Sequence, residues 1–149
     1  MTLLLLLLLT FTPLHTEQPS EADREAIEAA IVQLFDAMRE SNMEKAADVF
    51  HERLQLSTVV DRGAGSEVVE SSAAGFLEAI GRPKEQPWDE HYSNLQVQID
   101  GDLAIAWMDY RFYLGDEFSH CGVNAIKFIR TAAGWKMFSI TDTRRETGC

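Results

Sequence analysis

Hydrophobic residues recur at helical spacing early in the chain and at alternate positions later, so the sequence falls into a helical half and a strand half. From Ser20 to Ser41, Ile27, Ile31, Leu34, Phe35 and Met38 share one side of a helix, with Glu25, Glu28, Asp36, Arg39 and Glu40 around the rest. Ser20 and Asp23 supply a capping-box-like start. A shorter helix, about Met43 to Phe50, opens on Asn42 as cap and buries Ala46, Ala47, Val49 and Phe50. Leu54 to Val60 has the alternation and β-branched content of a strand, and the loop Asp61 to Ser66 ends it. That loop lacks the Lys-Ser/Thr ending and the parallel βαβ setting of a phosphate cradle. Ser71 or Ser72 caps a third helix through Phe76, Leu77 and Ile80, which Gly81 and Pro83 stop. Arg82 to Trp88, with two prolines, is a loop.

From His91 onward the period is two. Leu95, Val97 and Ile99 alternate with Asn94, Gln96 and Gln98, and Asp100-Gly101-Asp102 makes a hairpin turn. Three apolar-rich runs follow, Leu103 to Leu114, Phe118 to Arg130 and Trp135 to Arg145, joined by turns at Gly115 and Gly134. Helices followed by a meander predict an α+β fold, three helices packed on one face of a curved antiparallel sheet.

Turn chemistry assigns a register. A two-residue turn at Gly115-Asp116 sets Leu114 opposite Glu117, hence Arg111 opposite His120, Asp109 opposite Gly122 and Trp107 opposite Asn124. A glycine bulge at Ala132-Ala133-Gly134 sets Thr131 opposite Trp135, Asn124 opposite Asp142 and Gly122 opposite Arg144. One face then collects Trp107, Asp109, Arg111, His120, Asn124, Asp142 and Arg144, with Ile105, Ile126, Phe128, Phe138 and Ile140 as its apolar end. The other face holds Met108, Tyr110, Phe112, Val123, Ala125, Met137, Ser139 and Thr141. The first face is taken as the pocket, and one bulge would reverse that assignment.

Composition narrows the function classes. At 149 residues, 46% hydrophobic and 25% charged, the chain is the size and type of one globular domain. A formal net charge of −11 and the lack of a basic run exclude a phosphate-backbone partner, so no nucleic acid is expected. Leu3 to Leu9 is too short for a stable membrane anchor and reads as a signal-peptide core, without preceding Lys or Arg and without a clear cleavage site. Residues 1–19 are therefore assigned to a leader and 20–149 to the domain, with a secreted or periplasmic location expected and a retained cytoplasmic protein as the alternative. Cys121 and Cys149 lack metal-ligand spacing, and no metal site is expected. In an exported chain they can bridge, because the last strand runs beside Cys121 and the tail can fold back. The preferred reading is nevertheless a small buried thiol and a free terminal one.

The candidate chemistry lies in the meander. His120 is the histidine inside a strand among charged groups, and Asp142 beside it would orient the ring, as a general base requires. A histidine bonded to backbone at a sheet end is the plainer alternative. Asp142 and Arg144 form either a structural ion pair with Asp109 and Arg111 or, if Arg144 is unpaired, a receptor for an anion. Trp107 stacks on a flat ligand or sits in the core. Ser119 adjoins His120, but strand neighbours point oppositely, so no Ser–His pair is expected. His51 is assigned to the end of the second helix as a cap.

The order of elements, with Asp102-Leu103-Ala104-Ile105-Ala106-Trp107, His120-Cys121-Gly122-Val123 and Gly134-Trp135-Lys136-Met137, resembles the nuclear transport factor 2-like superfamily. That superfamily includes the SnoaL-like polyketide-cyclase group, lumazine-binding-like proteins and ketosteroid isomerases. The resemblance runs from Ser20 to the end. It implies a cone-shaped fold around a hydrophobic cavity, homodimers formed through the sheet, and functions ranging from isomerases, dehydratases and cyclases to binding and assembly modules. The expectation is a domain that binds a small apolar or partly anionic molecule through Trp107, Asp109, Asn124 and Arg144, without a cofactor. Its alternatives are an acid/base enzyme using His120 and Asp142, and a protein-interaction module.

Overall fold

The structure, a computed structural model, describes residues 21–149. The leader expected at residues 1–19 lies outside the described residues. Helix α1 (Glu21–Glu40) buries Ile27, Ala30, Ile31, Leu34, Phe35, Ala37 and Met38, the stripe its spacing predicts. Ser41 then takes a positive φ of 54°, and the Asn42 side chain accepts a hydrogen bond from the Lys45 backbone N–H to open α2 (Met43–Asp48). This helix is shorter than expected. Phe50 and His51 already belong to strand β1 (Phe50–Asp61), and Val49 is the C-cap, so the helix-capping role assigned to His51 is corrected. The His51 Nδ1 instead accepts from the Arg53 backbone N–H at 3.1 Å.

Ser66 to Ser71 forms strand β2, which sequence alone left as the stretch between loop and helix. Ser72 caps α3 (Ala73–Gly81) by accepting from the Gly75 N–H. The remaining strands are β3 (Trp88–Asp100), β4 (Leu103–Leu114), β5 (Glu117–Thr131) and β6 (Gly134–Arg144). They form a six-stranded sheet in the order β2-β1-β6-β5-β4-β3. All neighbours are antiparallel except β1 and β6, which run parallel, so the sheet is mixed rather than wholly antiparallel. The parallel pair arises because β1 joins the sheet beside the last strand, with α3 and four strands intervening in sequence.

The three helices cover one face of this sheet. Between them lie the fully buried Ile27, Ile31, Ile80, Met108, Ile126, Phe128 and Met137.

Three bulges decide which residues reach that covered, concave face. In β3 one extra residue sits between Ser93 and Gln96, where Asn94 has a φ of +54°. In β5 the extra residue is Ser119, since Tyr113 pairs with Phe118 while Phe112 pairs with His120. In β6 it is Phe138, since Phe128 pairs with Met137 and Lys127 with Ser139. The second bulge overturns the expected β4–β5 register: Arg111 faces Cys121, Tyr110 faces Gly122 and Met108 faces Asn124. The β5–β6 register near the site is as expected, with Asn124 opposite Asp142.

Beyond β6 the chain continues beside β5, with paired backbone hydrogen bonds of 2.9 Å between Cys121 and Arg145. The tail folds back and Cys121 and Cys149 form a disulfide, so the expectation of two free thiols is corrected.

Candidate ligand cavity

A cavity of about 330 Å³ opens between the helices and the concave face. Its walls include Leu34, Phe35, Met38, Ile126 and Ile140, and its polar groups are gathered from β1, β3, β4, β5 and β6. His120, Asn124, Asp142 and Arg144, all expected in the pocket, line it together. Trp107 and Asp109 do not, and this part of the expected site is corrected. The Ser119 bulge moves β5 by one residue relative to β4, which turns Trp107, Asp109 and Arg111 to the convex face and brings Met108, Tyr110 and Phe112 inward. Trp107 is 51% exposed there, and Asp109 accepts a hydrogen bond from the Asn94 side chain at 2.7 Å. Arg111 donates to the Cys149 backbone carbonyl. Ile105 and Phe138 likewise leave the expected apolar end of the pocket.

Asp142 is the most heavily bonded of the polar groups. Thr58 of β1 donates to its Oδ1 at 2.6 Å, and the Arg144 Nε and Tyr110 hydroxyl donate to its Oδ2 at 2.8 and 3.3 Å. The parallel β1–β6 pairing places Thr58 directly opposite Asp142. Burial works against the Arg144 charge, yet bonding to Asp142 outweighs it and raises the guanidinium above its ordinary value. Arg144 is thus paired within its own strand, and neither Asp109 nor Arg111 takes part.

Tyr110 also donates to the Thr143 carbonyl at 2.9 Å. It reaches there across Gly122, where an added Cβ would lie 1.8 Å from that carbonyl oxygen and 2.8 Å from the tyrosine ring. Burial, together with the Asp142 and Glu90 charges, pushes the phenol far above its usual value, so it stays protonated and able to donate.

His120 stacks on Phe112 with ring centroids 4.9 Å apart and meets Tyr110 edge-on. Burial, reinforced by Arg144, lowers its pKa, while Asp142 and Glu146 oppose the shift. The ring is therefore neutral at pH 7. Its Nδ1 lies 3.0 Å from the Ser119 hydroxyl, not on Asp142. The bulge puts both of these sequence neighbours at the cavity wall, contrary to the expectation of opposed side chains.

Sequence reasoning missed Glu90. Its carboxylate lines the cavity, accepts a hydrogen bond from the Asn124 side chain at 2.7 Å, and makes no ion pair among the described residues. Burial pushes its pKa up to about 7; the Asn124 bond opposes this, the Asp142 charge adds to it and Arg144 opposes it. Alternation in β3 from Leu95, Val97 and Ile99 would put Glu90 on the convex face, and the Asn94 bulge reverses that parity. Among the described residues no group of three or more His, Cys, Asp or Glu side chains is placed to hold a metal ion.

The SnoaL-like domain family model matches residues 27–141. The chain belongs to the SnoaL-like domain family. Solved structures agree on the fold. An NTF2-like protein with a cystatin-like fold from Novosphingobium aromaticivorans is similar at a TM-score of 0.69, with 16% identity over 86% of this chain and 85% of that one. An NTF2-like protein of unknown function from Shewanella baltica gives 0.68, with 11% identity over 88% of this chain and all (100%) of that one. A protein from Streptomyces avermitilis, provisionally assigned as a dehydratase of the NTF2-like family, gives 0.65, with 18% identity over 85% and 99%. No curated protein matches the sequence. At these identities the solved structures speak to fold alone, and the SnoaL-like cavity must be read from its own residues.

Proposed function

We propose that this SnoaL-like domain binds a small, partly apolar molecule in the concave cavity. The observation that carries the reading is the composition of its walls, aliphatic and aromatic along α1 and the sheet, with polar groups converging at one end. A second reading, cofactor-independent acid/base turnover, is supported by Glu90. A carboxyl group that titrates near neutrality in the wall of a cavity suits proton transfer. In that reading Glu90 takes the proton, His120 is the second transfer group and Asp142 is a positioning residue.

The same proposal includes an exported homodimer. A Cys121–Cys149 bridge suits an oxidising compartment. Leu103, Ile105 and Trp107, half exposed on the convex face, supply apolar area for a second copy. Among the described residues no helix is long and apolar enough to cross a membrane.

A neutral solvatochromic dye, prodan, tests the binding reading. Saturable one-to-one binding is expected, lost in Leu56→Trp, which fills the cavity from β1. Circular dichroism and thermal melting establish that the variant is folded. Dye binding that is absent, or that survives Leu56→Trp, overturns the reading.

A further inference from the structure

We infer that the cavity takes a small apolar molecule carrying a cationic amine, whose ammonium group seats against the Glu90 carboxylate. The inference rests on the cavity-binding reading above and names its ligand class.

The charges at the cavity wall do not balance. The ionisable side chains at the cavity are Glu90 from β3, Tyr110 from β4, His120 from β5, and Asp142 and Arg144 from β6. Asp142 and Arg144 neutralise each other through the 2.8 Å contact. Tyr110 is protonated, and His120 is neutral because burial and Arg144 both disfavour its cation. Helix α1 contributes only Leu34, Phe35 and Met38 to the wall, and β1 contributes no charge, its polar members there being Ser57 and Thr58. An ionised Glu90 is therefore one negative charge without a countercharge, held by a single neutral amide donor.

A carboxylate in that position discriminates strongly among ligands. An anion would meet a like charge at close range. A neutral molecule would leave the charge uncompensated. An ammonium group would restore the missing pair and supply up to three donors to a carboxylate that has free acceptor capacity. The aromatic wall suits the same cation, since Phe35, Tyr110 and Phe112 line the same cavity as Glu90, and ring faces attract ammonium groups. The aliphatic lining takes the apolar remainder. The expected anion receptor based on Arg144 has lost its cation to Asp142, so the same cavity argues for the opposite ligand charge.

Binding of the amine is then linked to pH. Glu90 is largely neutral at pH 6 and largely ionised at pH 8, and an aliphatic amine is charged at both. Affinity for the amine rises across that interval, while affinity for an uncharged analogue has no such dependence on the Glu90 charge.

The test is displacement of prodan by three compounds that share one skeleton: 2-naphthylmethylamine, 2-naphthylmethanol and 2-naphthoate. At pH 8 the amine is expected to bind roughly tenfold more tightly than the alcohol, and naphthoate most weakly. At pH 6 the preference for amine over alcohol is expected to shrink by roughly tenfold. Glu90→Gln, which retains an acceptor for Asn124, is expected to bring the amine-to-alcohol ratio close to one at both pH values. Dye binding with an alcohol or naphthoate that competes as well as the amine at pH 8 overturns the inference and leaves the cavity reading standing. An amine preference that persists in Glu90→Gln, or does not change between pH 6 and 8, overturns it as well. Failure of the dye and all three compounds to bind overturns both.

Discussion

The two faces of the sheet carry the same kinds of residue and give them different chemistry. On the concave face Asp142 is bonded by Thr58, Tyr110 and Arg144, with its side chain 12% accessible, and Tyr110 is buried behind it. On the convex face Asp109, one residue before Tyr110, has a single side-chain amide as partner, and Trp107 stands half in solvent. Neither face is distinguished by composition. What differs is desolvation, because helices cover one face and water the other, and under that cover burial is the largest cause moving Glu90, Tyr110 and His120 away from their ordinary titration. Candidate chemistry in this fold therefore follows the covered face, and the polar residues most prominent in the sequence are no guide to it.

The sharpest way to break this contrast is to disturb the closest packing on the concave side. Gly122→Ala places a Cβ against the Thr143 carbonyl and the Tyr110 ring, neither of which can yield without moving a strand. Urea unfolding is expected to show a loss of about 3 kcal/mol or more. A loss under about 1 kcal/mol would mean that the covered face is far looser than described.

The next effect concerns Glu90 and carries a definite sign. Its folded pKa is raised above the ordinary value of 4.5 to about 7, so the folded state resists its ionisation. This group therefore costs nothing below about pH 4.5 and destabilises progressively as pH rises through about 7. Glu90→Gln is expected to stabilise the protein by roughly 1–3 kcal/mol at pH 8 and to change little at pH 4, read by urea titrations at the two pH values. Destabilisation at pH 8 would show that the carboxylate has a compensating partner.

The smallest effect is expected on the convex face. Trp107→Ala should change monomer stability by under about 0.5 kcal/mol, since the ring is already half hydrated. In sedimentation analysis the same change should shift the proposed dimer towards monomer. A large stability loss would place this ring in a core and erase the difference between the faces.

Much of the architecture was legible from local chemistry. The stripe from Ile27 to Met38 set the buried side of α1, Asn42 and Ser72 announced their helices, and glycine turns marked the hairpins. At the β5–β6 turn Thr131 faces Gly134 rather than the expected Trp135, and the Phe138 bulge restores the expected pairing at the site, so Asn124, Asp142 and Arg144 were found with His120. Glu90, Tyr110 and Thr58 were not. Two of them lie on strands whose inward parity is decided by the Asn94 and Ser119 bulges, and the third reaches the site through a parallel pairing between strands far apart in sequence.

The order and type of the elements thus follow from the amino-acid sequence alone, because capping, turn formation and periodicity depend on neighbours along the chain. Which face of each strand became the interior was decided only in the tertiary structure. Both faces of β4 and β5 are apolar enough to be buried, and a bulge changes facing without altering the alternation around it. Packing of α1 and α3 against one face selected among those registers, and with that choice set which carboxylate would be buried without a countercharge.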